Sequence, residues 1–242
     1  MQTEEFFIGR NKYILKVLMH RKWSSTASMQ NNVVTIRLSS RANKAERQKH
    51  LDEFREWAIQ RIRKNPERYK PPYTREYRNQ DVIDIGGEKF ALRIDYTKRK
   101  SASGNILGNI IRLNIPEAIP EEDRKKHISS VLAKIVAQRR LPRLQNKINL
   151  LNNLFFRKEL GDIKFKNMSS RWGSCSRHGN ITISSRLLLA PDEILEYVCV
   201  HELAHLVHFN HSKKYWELVG KVIPDYKERD KWLSKNGEKC VF

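Results

Sequence analysis

The chain has 242 residues, 39% hydrophobic and 31% charged, enough apolar material for one large domain or two small ones. Its net charge of +20 is uneven: residues 1–160 carry 34 Lys and Arg against 17 Asp and Glu, and residues 161–242 carry 13 against 10. With no run of eighteen apolar residues, no apolar leader in "MQTEEFFIGRNKYIL" and only three scattered cysteines (Cys175, Cys199, Cys240), the expectation is a cytoplasmic protein without a membrane span, secretory signal or disulfide framework.

The first elements recur. At an offset of 77 residues, "YILKVLMHRKWSST" (13–26) aligns with "FALRIDYTKRKSAS" (90–103), and "NVVTIRL" (32–38) with "NIIRLNI" (109–115). At the same offset "RQKHLDEFREWAIQRIR" (47–63) aligns with "RKKHISSVLAKIVAQRR" (124–140). Each set reads as an apolar-alternating strand, a polar turn, a second strand and an amphipathic helix. His50 and His127 take equivalent places in the two sets, which speaks for packing or surface duty rather than chemistry. The prolines and charges of "KNPERYKPPYTREYRNQ" (64–80) mark a connection.

After the second helix, Pro142 allows a kink or a restart. In "RLQNKINLLNNLFF" (143–156), Leu144, Ile148, Leu151 and Phe155 fall at helical spacing and read as core. "DIKFKNM" (162–168) alternates as a short strand, and "SSRWGSCSRHGNITISS" (169–185) passes through a His-Gly-Asn turn into another. Asp192, following Pro191, opens a helix as N-cap or first-turn acid. That helix, "DEILEYVCVHELAHLV", leads into "HELAHLVHFNH" (201–211), where four of the eight histidines lie within eleven residues.

His201 and His205 are four apart, so on a helix both imidazoles leave one face and can meet one ion at about 2.0–2.1 Å. Glu202 is turned away from direct ligation but within reach of a coordinated water, as a general base requires. Val198, Val200, Leu203, Ala204, Leu206 and Val207 surround the motif, and histidines on a buried helix need partners. The third ligand is His208 or His211. His208 lies on the same face but about 10.5 Å along the axis from His201, too far for convergence on a straight helix. Asn210 can end the helix, after which His211 folds back and Ser212 caps a following helix, "SKKYWELVGKVI", so spacing favours His211. Three imidazoles leave one position open, as in a catalytic rather than structural zinc site. A coordinated water then gives its proton to Glu202, which returns it to the leaving amine of an amide. Charge on the tetrahedral intermediate calls for a donor, for which Tyr215 and Arg171 are candidates, each with a packing role as alternative.

The segments "SRWGSCS…GNI", "YVCVHELAHLVHFNHSKKYW" and "IPDYKERDKWLSKNG" resemble the YgjP-like family of zinc metallopeptidases, relatives of the SprT-like zincins, most strongly over 164–237. The resemblance implies an α+β fold with a zincin-like core, a mixed sheet packed on the H-E-x-x-H helix. It also implies one zinc ion on His201, His205 and His211, Glu202 as catalytic acid/base, and a peptide or protein substrate. The expected division is a basic strand–strand–helix region over 1–80 and a catalytic region over 81–242, unless the two pack as one family domain.

Around this core further roles are open. "KFKNMSSRWGSCS" can wall the cleft as a strand that pairs with substrate, with Gly173 permitting close backbone approach, against a reading in which Trp172 fills core and Arg171 makes an ordering ion pair. Cys175 is a candidate metal-directed or redox-sensitive thiol, Cys199 a packing residue, and Asp225 either orients a ligand histidine or caps a helix. The basic excess over 1–160 fits a polyanion, most plausibly nucleic acid, although a solvated lysine-rich surface reads the same way. Two competing functions follow: a nucleic-acid-associated protein with a structural zinc, and a hydrolase of non-peptide amides or esters.

Overall fold

The fold is described from a computed structural model over residues 2–71 and 73–242. The chain divides into two compact units, residues 1–73 and 74–242.

In the first unit, β1 (Gln2–Ile8), β2 (Asn11–His20), β3 (Thr26–Gln30) and β4 (Val33–Ser39) form one sheet in the order β1-β2-β4-β3. β2 and β4 run parallel in the middle, with β1 and β3 antiparallel on the edges. Alternation along β2 and β4 collects Leu15, Val34, Ile36 and Leu38 on one face, and α1 (Lys44–Lys64) covers it through Ala58. α1 opens with a capping box: Asn43 Oδ1 accepts from the Glu46 N–H, and the Glu46 carboxylate accepts from the Asn43 N–H.

The second unit begins with the same arrangement. β5 (Val82–Ile85), β6 (Glu88–Thr97), β7 (Ser103–Leu107) and β8 (Ile110–Pro116) pair in the order β5-β6-β8-β7, with β6 and β8 parallel. β2, β3, β4 and α1 each begin 77 residues before β6, β7, β8 and α2 (Glu121–Leu151). Each sheet has four strands where alternation points to two. The additional strands lie on sheet edges and are short or half-exposed, so "TASMQ" and "SGNIL" need no apolar stripe.

α2 passes through Pro142 without a break. The lost backbone bond costs about 3 kcal/mol. Burial of Val136, Leu144 and Ile148 on either side contributes about 1.5–3 kcal/mol each, so packing decides. At about 46 Å, α2 serves two cores: Ile128, Leu132 and Val136 pack on the sheet of β5–β8, and Leu144, Ile148 and Leu151 pack on the core that carries the histidines. Between them the nearly buried Arg140 pairs with Glu88 at 3.0 Å and donates to the Ile85 carbonyl. Beyond Leu151 the helix widens into a π turn, Asn152–Phe156. The wider turn changes the register, so Phe156 is buried and Phe155, expected in the core, is 48% exposed.

A third sheet has the order β10-β11-β9, from β9 (Ile163–Lys166), β10 (Gly173–Cys175) and β11 (Ile181–Ser184). Gly179, at φ +72°, makes the turn between β10 and β11. Ile181 and Ile183 join the core formed with α3 (Asp192–Ala204), α4 (Lys213–Val222) and α5 (Tyr226–Asn236), which includes Val198, Leu203, Tyr215, Val219 and Leu233. Asp192 is the first-turn acid of α3, paired with Arg143, and Pro191 holds the cap position. The whole is mixed α+β. No described helix is long and apolar enough to cross a membrane.

Candidate metal centre

α3 is packed on most of its surface, which leaves His201 half-buried and Glu202 5% exposed. It ends at Ala204, earlier than the apolar run implies. The N–H groups of His205, Leu206 and Val207 bond three residues back, to Glu202, Leu203 and Ala204, so the last turn is tightened. His205 keeps helical dihedrals (φ −66°, ψ −17°) and remains beside His201, their ring centroids 5.1 Å apart. The chain then turns, and α4 begins with Ser212 in the cap position but without a side-chain capping bond.

That turn returns His211 to the helix end. His211 Nε2 stands 3.2 Å from His201 Nε2, and the ligand atoms of His201, His205 and His211 all lie within 4.8 Å of one another. The His208 imidazole is outside this group. Its backbone carbonyl faces His205 Nδ1 at 3.3 Å. A carbonyl only accepts, so Nδ1 carries the proton and Nε2 keeps its lone pair free.

Tyr215, fully buried, forms the floor of the site. Its ring centroid is 5.4 Å from that of His201 and 4.8 Å from those of His205 and His211. Its hydroxyl donates to the His201 carbonyl at 2.9 Å, the acceptor that tightening of the helix end releases. Trp216 stacks on His211 at 5.5 Å, and Tyr226 stacks on Trp216 at 5.3 Å. Aromatic packing thus holds His211 in place on the loop side.

The residues fit a metal ion. Two nitrogens bound to one tetrahedral ion at about 2.0–2.1 Å lie about 3.3 Å apart, close to the His201–His211 spacing. Burial, with His205 and His211 nearby, lowers the His201 pKa to about 4, so its imidazole is neutral at neutral pH. Burial also lowers the His205 pKa.

Glu202 points elsewhere, against β10. Burial raises its pKa to about 7, with the Arg171 charge opposing the shift. A Cβ at Gly173 would stand 2.7 Å from Glu202 Cγ and Cδ, so only glycine leaves the carboxylate its place. The close approach expected at Gly173 is therefore made by Glu202. Its sequence signal was a glycine inside a strand.

The remaining candidates are distributed around this pair. Arg171 is exposed just before β10, near enough for its charge to act on Glu202. Trp172 is half-buried beneath the Arg186 guanidinium, 4.2 Å away, and its ring fills the space beside Gly237. The Cys175 pKa is pushed up to about 11 by burial and the Glu202 charge, which suppresses the reactive thiolate. Cys199 is fully buried, its thiol pushed up to about 12. Asp225 accepts from Arg229 Nε at 3.0 Å rather than from a histidine, and makes no capping bond. His50 lies in α1 and His127 in α2, outside the cluster.

Residues 24–236 match the model of the YgjP-like family, metallopeptidase domain. The chain belongs to this family. The YgjP-like assignment makes it a metallopeptidase, with a catalytic metal and a peptide or protein substrate implied by the class. No curated protein matches it at a significant level. Among solved structures, the metallopeptidase zymogen abylysin of Pyrococcus abyssi is similar over 38% of this chain and 93% of its own, at 24% identity and a TM-score of 0.35. The zymogen jannalysin of Methanocaldococcus jannaschii is similar over 38% and 94%, at 19% identity and a TM-score of 0.34. At these scores neither likeness carries an argument.

Proposed function

We propose that the chain is a zinc-dependent peptidase in which His201, His205 and His211 hold one ion and Glu202 is the general acid/base. The observation that carries this reading is the convergence of three imidazole nitrogens at the end of the helix that also carries the buried carboxyl of Glu202. A bound zinc supplies Lewis acidity, polarising the substrate carbonyl and making a water acidic enough to react near neutral pH.

The protein side of the reaction follows from the geometry. His205 is held in its Nε2-ligating tautomer by the His208 carbonyl, while the Tyr215 hydroxyl anchors the backbone of His201. Glu202, desolvated against Gly173, takes a proton from the attacking water and delivers it to the departing amine. Burial makes this carboxylate more basic than an exposed one, which favours its taking the proton. β10 is an edge strand, so an extended peptide can add to it and bring its scissile carbonyl beside Glu202. Arg171 is the candidate for stabilising the oxyanion, because the Tyr215 hydroxyl is already engaged by His201. In this reading α3 and the β9–β11 sheet form a zincin-like core, and all catalytic groups come from the 81–242 region.

The test is Glu202→Gln assayed on a quenched fluorescent peptide library, with zinc measured by mass spectrometry. Turnover is expected to fall by about 10²–10⁴ while about one zinc per chain remains. Unchanged turnover would reject Glu202 as the proton carrier, and turnover insensitive to chelation would reject the metal.

A further inference from the structure

In the first unit, β2 and β4 end side by side: the Ser40 N–H donates to the His20 carbonyl at 2.8 Å, and the Ser39 N–H to Ser25 Oγ at 3.1 Å. This junction gathers the β2–β3 loop (Arg21, Lys22, Trp23) with Arg41, Lys44 and Arg47 at the start of α1. All but Arg47 are exposed, and none of the five cations forms an ion pair among the described residues. The local carboxylate is Glu46, which is used in the capping box. Trp23 is 80% exposed, with the Arg41 guanidinium 4.3 Å from the ring centroid.

The fold does not require this chemistry, as the second unit demonstrates. There the Glu117 N–H bonds the Thr97 carbonyl at 2.9 Å, the same junction 77 residues on. Its loop is also basic (Lys98, Arg99, Lys100), and Arg124 lies over Tyr96 at 4.7 Å. Glu117, Glu121, Glu122 and Asp123 occupy the positions that Ser40, Lys44, Ala45 and Glu46 hold in the first unit. One junction therefore carries four cations with four carboxylates, whereas the other carries five cations against one committed carboxylate.

The geometry points to single-stranded nucleic acid as the ligand of the Arg21–Lys22–Trp23–Arg41 corner. Arg21, Lys22 and Arg41 neutralise backbone phosphates, and the open face of Trp23 stacks a base. A cation-backed indole with its other face exposed is a base platform, and the surrounding charge tracks the strand. Duplex DNA is disfavoured because stacking on Trp23 requires a base outside its helix. No base-reading carboxylate or amide is assembled there, so binding is indifferent to sequence.

Fluorescence anisotropy of the full chain with a labelled oligo(dT) of about 16 nucleotides tests this. Wild type is expected to bind in the micromolar range at low salt, with log affinity falling against log salt. Trp23→Ala weakens binding about 5- to 100-fold and Trp23→Phe much less. Arg21→Glu/Lys22→Glu/Arg41→Glu weakens binding more than Trp23→Ala does, and the residual binding loses roughly 2 units of salt slope, about 0.7 per phosphate. Lys98→Glu/Arg99→Glu leaves affinity within about threefold, as expected for loss of diffuse charge alone. An equal loss from that pair, tighter binding to a duplex of the same length, or capture by phosphatidylserine vesicles without oligonucleotide binding would each overturn the proposal.

Discussion

Replacing Gly173 with alanine introduces one methyl group where Glu202 Cγ and Cδ already lie 2.7 Å from the built Cβ. Carbon–carbon contact needs about 3.5–4.0 Å, so the carboxylate or β10 must shift by about 1 Å. Gly173 is not in the left-handed region, so alanine meets no backbone conflict. Its conformational effect alone would stabilise the fold by about 0.4–1 kcal/mol. Overpacking opposes this by about 1–3 kcal/mol, leaving a net loss of roughly 1–2 kcal/mol and a fall of about 2–8 °C in Tm. Catalysis is hit harder: a 1 Å misplacement of a reacting group costs about 10²-fold in rate. The assay is kcat/KM on a cleaved reporter peptide, beside zinc content and a thermal melt. Activity falling about 100-fold with zinc retained fits the reasoning. Folded Gly173→Ala with activity within about threefold of wild type would refute the claim that this glycine exists to seat Glu202.

Gly220, inside α4, is the contrasting case, because a Cβ there meets Tyr226 at an ordinary 3.4 Å; Gly220→Ala should raise stability by about 0.5–1 kcal/mol, and a lower Tm would contradict it. His211→Ala should lose zinc by mass spectrometry, while His208→Ala, which keeps the carbonyl that His205 uses, should retain it; the reverse pattern would exchange their assignments. Tyr215→Phe leaves the His201 carbonyl without its donor, a cost of about 1–3 kcal/mol or a Tm lower by roughly 3–9 °C, with zinc still bound; an unchanged melt would show that the bond contributes nothing.

What could be read from the sequence follows the range of each interaction. His201 and His205 obey helical spacing, and His211 follows from a chain that must turn, so three ring positions were legible without coordinates. The reason the His208 ring stays outside the cluster was also local, although its carbonyl contact was not: that depends on α3 tightening at His205. β1, β3 and β7 went unread because their edge positions need no buried stripe, β5 because its four residues are too few for the alternation of Ile83 and Ile85 to stand out, and Phe155 was misplaced because a π turn changes a register that periodicity assumes constant.

Glu202, the proposed proton carrier, shows the same division more sharply. It is identified by its place next to His201, yet the room for its carboxylate also depends on β10, some thirty residues earlier, where Gly173 lacks a side chain; burial raises its pKa and the Arg171 charge opposes the shift. A motif supplies the spacing of the imidazoles; the space that its buried glutamate occupies is completed by the sheet. A chain that kept H-E-x-x-H but carried a larger residue at position 173 would still present the three imidazoles. It would lose the seat of the proton carrier, and with it the step that separates a metal-binding helix from a peptidase.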